Sequence, residues 1–435
     1  MNSQYPLRRE KIAEGVWFGS IADSRFKSNL LTVNLVLPLA KETVTENALI
    51  PLVLEKCWAE APTNRQFSRC LNRLYGASVN SSTVKIGSAE VLTLSFSAID
   101  RLYALHQEDL LKEGARILLG LLLQPVLRDG LLEPENLALQ KQFLMDTIQA
   151  DINEKRSYAI GQTVKRMFEG EVCGLPRNGF YEEVAKITPQ IATNAWKRIL
   201  DQSRIEILHV GMGDPSAAKQ LFADAFASLV RHPLDMPALP SRKAPDIPRE
   251  ITEMKPVAQA KLCMGFQTGV NAYSSDLSAM RLMTALLGGT PTSRLFVHVR
   301  EEQSLCYYCA ARSDRFLGTL LVDSGIEREN ASKVQEAVLK EIEAIRRGDF
   351  TDEEVEFARL SLQNTYQSVG DSVHGLDAFY LTQTLLGISE TPEEQGQHLE
   401  AVTREQICEA AQKLQLDTVY LLEGPGKGEV SCEKQ

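Results

Sequence analysis

Several kinds of surface are missing from this sequence. Acidic residues outnumber basic ones, 57 to 47, giving a net charge of −10. Lysine and arginine form no block, so the clustered positive charge that nucleic acid or an anionic membrane requires is absent. Long apolar runs are scarce as well: the longest, Ile117 to Leu123, falls far below the roughly 20 residues that span a bilayer. The polar stretch Met1 to Ile12 lacks the apolar centre of a secretory signal, so a cytoplasmic protein is expected. The six histidines (His106, His209, His232, His298, His374, His398) include no pair within one helical turn and so form no local metal pair. The eight cysteines (Cys57, Cys70, Cys173, Cys263, Cys306, Cys309, Cys408, Cys432) are scattered, unlike a disulfide framework, and read as reduced and mostly buried thiols.

What is present is enough apolar material for more than one core. The chain has 435 residues, 44% of them hydrophobic, and two or three domains are expected. Strands are expected at Val16 to Ser20, Leu30 to Leu37 and Val91 to Ala98, the last two from their alternation of faces. Helical spacing covers Glu46 to Glu60, Asn64 to Tyr75, Tyr103 to Leu123 and Pro134 to Met167. Thr188 followed by Pro189 opens another helix through Ile199, ahead of a strand at Ile205 to Val210. Six of the 18 prolines then fall between Pro233 and Pro256, a stretch that no helix or sheet should cross.

Beyond the prolines the same order returns. A strand at Leu262 to Phe266 and a helix from Ser275 to Leu287 lead to a strand at Gly318 to Asp323 and long helices at Ala331 to Arg347 and Glu353 to Ser368. The residues from Gly130 to Leu137 match those from Gly348 to Val355 just before a long helix in each half. Thr351 with Glu354 and Thr403 with Gln406 have capping-box spacing, and 188–211 mirrors 403–424. The chain therefore reads as a tandem duplication of an α+β unit, with domains at 1–230 and 257–435 joined by the proline-rich linker 231–256.

The stretch from Leu287 to Tyr308 holds Gly288 and Gly289, then Ser293, Arg294, Leu295 and Phe296, then Val299, Arg300 and Glu301, then Leu305 to Tyr308. In this order and spacing it resembles the pitrilysin/insulinase (M16) metallopeptidases, and the resemblance covers nearly the whole chain. It implies the M16/LuxS-like metalloenzyme fold: two homologous domains, each an antiparallel sheet packed with helices, forming half of a clamshell.

Active members carry His-x-x-Glu-His on a helix of the first half, which holds Zn²⁺ and supplies a general base. The matching positions here are Leu52, Glu55 and Lys56, so only the Glu remains. The third ligand position, on the long helix downstream, falls on Thr147. Catalytic zinc needs about three protein donors, and Leu52 offers none while a charged Lys56 would be repelled. No cofactor is expected in this chain.

In active members the residues equivalent to Arg300 and Tyr307 bind substrate and stabilise the oxyanion. The resemblance thus implies a non-catalytic subunit that pairs with a zinc-bearing homologue, or with itself, around a polypeptide substrate. It is nearest to a zinc-less bacterial subgroup associated in naming with 5-aminopentanol modification of elongation factor P. Two other readings stay open: a peptide-binding scaffold with no role in hydrolysis, and a stand-alone peptidase with a relocated metal. On the residues alone the favoured reading is structural: Arg300 a helix-terminal cation paired with a Glu, and Tyr307 a core aromatic.

Two motif-like fragments are read as structural. Cys306 and Cys309 have redox or metal spacing, but a regular strand would aim residues three apart at opposite faces. Gly211 to Gly213 and Gly424 to Gly428 lack the remainder of a phosphate-binding fingerprint and are read as turns.

Overall fold

The computed structural model describes residues 6–425. Cys432, and Gly426, Lys427 and Gly428 of the second glycine-rich fragment, lie outside the described residues. The fold is α+β, and its contacts divide it into two units that are each discontinuous in sequence. The first contains residues to Gln149, Leu175–Ala238 and Ser368–Pro392. The second contains Ala150–Gly174, Leu239–Gln367 and the residues from Glu393 onward.

The first unit is built on five strands before residue 100 and one after residue 200: β1 (Arg8–Ala13), β2 (Val16–Ala22), β3 (Ser28–Pro38), β4 (Ser78–Ile86), β5 (Ala89–Ile99) and, beyond a two-stranded ribbon of β6 (Leu127–Arg128) and β7 (Leu131–Leu132), β8 (Arg204–Gly211). Their order in the sheet is β1-β2-β8-β3-β5-β4, and only the β2/β8 pairing is parallel. One face packs Leu31, Val33, Leu35, Leu92, Leu94 and Phe96 against helices Val44–Leu54, Leu110–Leu123, Pro189–Gln202 and Ser216–Ala227. The other face buries Ile21, Leu30, Val36, Val91, Leu208 and Val210 against Val373, Leu376, Tyr380 and Leu381 of a helix from the far end of the chain, Val373–Leu386. Thr32 adds a polar anchor by donating to Asp377 of that helix at 2.7 Å.

The second unit repeats this plan. Its strands are β9 (Arg249–Met254), β10 (Ala260–Gln267), β11 (Cys306–Asp314), β12 (Thr319–Ile326) and β13 (Gln415–Glu423), ordered β11-β12-β10-β13-β9 with only β13/β9 parallel. Leu262, Met264, Leu320, Val322 and Val419 pack against the helices of this half. On the opposite face lies Lys155–Met167, a helix that comes from the first half of the sequence, with Met167 on Leu317 and Leu321, and Ala159 on Tyr420 and Leu422.

Several expected boundaries move for local reasons. The first helix runs through Pro51 and stops at Leu54 instead of Glu60, and Trp58 beyond it turns back to bridge Ala61 and Pro125. The helix expected from Tyr103 begins at Leu110, capped by Asp109, whose side chain accepts from the Lys112 amide. The long helix from Pro134 breaks at Asp151–Asn153 into Pro134–Ala150 and Lys155–Met167, and this break is where the chain leaves the first unit for the second. The proline-rich stretch does hold a strand: β9 lies between Pro248 and Pro256, where no proline removes a donor, and occupies a sheet edge. The caps at Thr188, Thr351 and Thr403 form as expected, the last two as full capping boxes.

Candidate functional site

Leu52, Glu55, Lys56 and Thr147, the positions that the resemblance sets against the zinc motif, lie in the first unit. Leu52 is half-buried and packs against the main core. Glu55 is the residue that caps the end of Val44–Leu54, beyond the regular helix. Its carboxylate accepts from Lys56 Nζ at 2.7 Å and from the Ser81 hydroxyl. Both oxygens are thus occupied, one of them by the Lys56 ammonium. Thr147, on Pro134–Ala150, turns its hydroxyl back to the Phe143 carbonyl at 2.8 Å. An aliphatic side chain, an ammonium and a self-satisfied hydroxyl do not make a zinc site. Among the described residues, no group of three or more His, Cys, Asp or Glu has the geometry to hold a metal.

Arg300 and Tyr307 lie in the second unit, on a segment held from below. The helix Leu277–Thr284 widens into a π turn at Ala285–Gly289, where a Cβ on Gly288 would strike Ala311 of β11, so the turn sits directly on the strand. A second π-helical stretch, Leu295–Glu302, carries Arg300. Arg294 anchors it from a buried position, donating at 2.9 Å to Glu341 and at 2.9 Å to Glu354, while His298 Nδ1 also meets Glu341 at 2.9 Å. The chain then passes through Ser304 in the left-handed region (φ 52°) into β11.

Arg300 is a cation in the last turn of Leu295–Glu302, as the structural expectation had it, but without the paired Glu. Arg300 is not in an ion pair among the described residues; its guanidinium lies 4.4 Å from the centre of the Phe296 ring. Tyr307 is 55% exposed, not a core aromatic. It is the extra residue of a β-bulge, since Cys306 pairs with Ile326 and Tyr308 with the adjacent Gly325. Its hydroxyl donates to Glu327, and that hydrogen bond, with the Glu327 charge, raises its pKa and keeps it a protonated donor. Glu327 is a contact that the sequence did not signal. The half-buried aromatic is Tyr308, on the opposite face of the sheet, with Arg156 4.5 Å and Lys261 5.2 Å from its ring centre.

The family model described as the peptidase M16 inactive domain matches residues 186–362. A Bacillus subtilis (strain 168) protein described as "Probable inactive metalloprotease YmfF" is 28% identical over 404 residues, 93% of this chain and 95% of the relative. The chain is similar to inactive M16 homologues. The solved structure of a conserved protein from Enterococcus faecalis V583 has a TM-score of 0.89 at 25% identity, covering 97% of this chain and 99% of that one. A peptidase M16 inactive domain from Pseudomonas fluorescens shares the fold, with a TM-score of 0.74 at 16% identity, covering 96% of this chain and 98% of that one. Leu52, Lys56 and Thr147 offer no imidazole or carboxylate, while Arg300 and Tyr307 are polar donors.

Proposed function

We propose that this chain is the zinc-less subunit of a cytoplasmic, two-chain M16 peptidase, a zinc-bearing homologue being its partner. In that assembly Arg300 and Tyr307 serve the partner's metal as substrate-binding and oxyanion donors. The observation that carries this reading is the state of those two residues. Among the described residues Arg300 is in no ion pair, and Tyr307 is presented on an exposed bulge and kept protonated by Glu327, so that its hydroxyl can turn to a developing oxyanion. The polypeptide is unassigned, with elongation factor P a candidate supplied by resemblance.

The test is to mix this chain with a zinc-bearing M16 homologue from the same cell and follow cleavage of unfolded peptides. Alone, the chain should bind no stoichiometric zinc and cleave nothing. In the complex, Arg300→Ala or Tyr307→Phe should lower turnover by about 10²–10³, the loss typical of one oxyanion donor. Full activity of both variants would sink the proposal.

One observation favours a second reading, a scaffold that holds a polypeptide without hydrolysis. Two long helices each expose an apolar pair: Leu139 and Phe143 on Pro134–Ala150, and Phe357 and Leu360 on Asp352–Val369. If the chain captures unfolded peptide alone, and capture weakens in Phe143→Ser and Phe357→Ser without any effect on cleavage by a complex, this reading replaces the first.

A further inference from the structure

Strand β11 carries two cysteines whose arrangement neither the fold nor the peptidase reading uses. In a regular strand, Cys306 and Cys309 would face opposite ways. The bulge at Tyr307 changes the parity: Cys306 pairs with Ile326, Tyr308 with Gly325 and Cys309 with Ser324, so one unpaired residue restores the two cysteines to the same face. Both are buried in the same cluster, together with Leu295, Val299 and Ile326. Their partners on β12 are two residues apart, which sets the cysteines roughly 6.7 Å apart along the strand, at the upper end of the Cα separation a disulfide spans.

The two thiols are unequal. The Cys309 thiol donates to Cys306 and, against the opposing effect of burial, holds Cys306 below the ordinary thiol range, with the Arg300 guanidinium adding to the shift. Cys309 is pushed well above that range by the same hydrogen bond and by burial. Burial pushes Cys57, Cys70, Cys263 and Cys408 upward too. Two thiols on the same strand face in one buried cluster, with Cys306 the one held down, supply an attacking and a resolving cysteine.

We propose that Cys306 and Cys309 are a redox-active dithiol that a hydroperoxide closes into an intramolecular disulfide. The Cys306 thiolate attacks one oxygen of hydrogen peroxide, the O–O bond breaks, and the departing oxygen takes up a proton and leaves as water, with Cys306 oxidised to a sulfenic acid. Cys309 sulfur then attacks Cys306 sulfur. The S–O bond breaks, and the hydroxide leaves as water with the Cys309 proton. Two thiols have lost two electrons to one peroxide, and two waters have formed. The small size of the peroxide suits a sulfur that is nearly enclosed.

The experiment uses the full chain, reduced and then exposed to hydrogen peroxide, followed by alkylation with N-ethylmaleimide and non-reducing peptide mapping. The expected product is a peptide carrying Cys306 and Cys309 that is two hydrogens lighter and unalkylated, and that regains two alkyl groups after reduction. Cys309→Ser should trap a dimedone-reactive sulfenic acid at Cys306, whereas Cys306→Ser should leave Cys309 unmodified. A measurement free of substitutions accompanies these: in the untreated protein at neutral pH, Cys306 should react with iodoacetamide at least about tenfold faster than Cys57. Equal alkylation of the pair before and after peroxide, a disulfide to any other cysteine, or a Cys306 no faster than Cys57 overturns the proposal.

Discussion

Two buried titratable side chains in the first unit bias its stability in opposite directions along the pH scale. Glu90 is 1% exposed; Asn47 donates to one oxygen at 2.9 Å and the other has no partner. Burial pushes its pKa up to about 8, against the lowering effects of Asn47 and Arg198. The folded state therefore holds a proton that the unfolded chain releases near pH 4.5, and stability falls as pH rises from about 4.5 to about 8. Glu90→Gln should flatten that fall, measured as the urea midpoint across the range. His209 behaves oppositely. Burial pushes it down to about 4, and its Nε2 lies 3.0 Å from the Asn29 carbonyl oxygen, while Nδ1 has no partner. That network assigns the ring hydrogen to Nε2. The neutral ring's contribution is present above pH 6.5 and lost as pH falls through about 4, a loss of about 3 kcal/mol. His209→Gln, which keeps a donor for Asn29 but does not titrate, should remove this acid limb of the urea-midpoint profile.

Helices of similar length differ in what their glycines do. Gly120 in Leu110–Leu123 lies flat under the Trp58 indole, and a Cβ there would overlap the ring. Trp58 in turn holds the back-folded segment that ends the first helix early. Gly120→Ala should therefore destabilise the first unit by about 1–3 kcal/mol, the usual cost of overpacking a core. Gly161 in Lys155–Met167 has nothing near its would-be Cβ, and Gly161→Ala should stabilise by about 0.5–1 kcal/mol through the lower entropy of the unfolded chain. Thermal melts of the two variants should move in opposite directions. The β11 bulge has effects beyond its size, since one unpaired residue both exposes Tyr307 and brings Cys306 and Cys309 to the same face.

Each half of the sequence supplies a helix to the other half's sheet. Leu376, Tyr380 and Leu381 cover apolar residues of the first sheet, and Met167 and Ala159 cover the second. A fragment ending near Ala238 would leave Ile21, Leu30, Val36, Val91, Leu208 and Val210 open to water. It should bind a hydrophobic dye and aggregate, and a peptide spanning residues 368–392 should restore a cooperative melt. A soluble, cooperatively melting fragment without that peptide would show that the exchanged helix is dispensable.

Local physics made much of this chain readable in advance. The duplication, the α+β class and the helix starts at Thr188, Thr351 and Thr403 follow from periodicity and capping, which act within a few residues and need no tertiary context. That Leu52, Lys56 and Thr147 offer no imidazole or carboxylate follows from residue identity alone. The rest depends on contacts between residues far apart in sequence. Whether the helix after Asn153 packs on the first sheet or the second, whether Trp58 folds back, and which way Cys306 points are set by burial and by strand pairing across 20 to 345 residues. A bulge in particular leaves no periodic trace, because the extra residue is defined only by the partner strand that fails to pair with it.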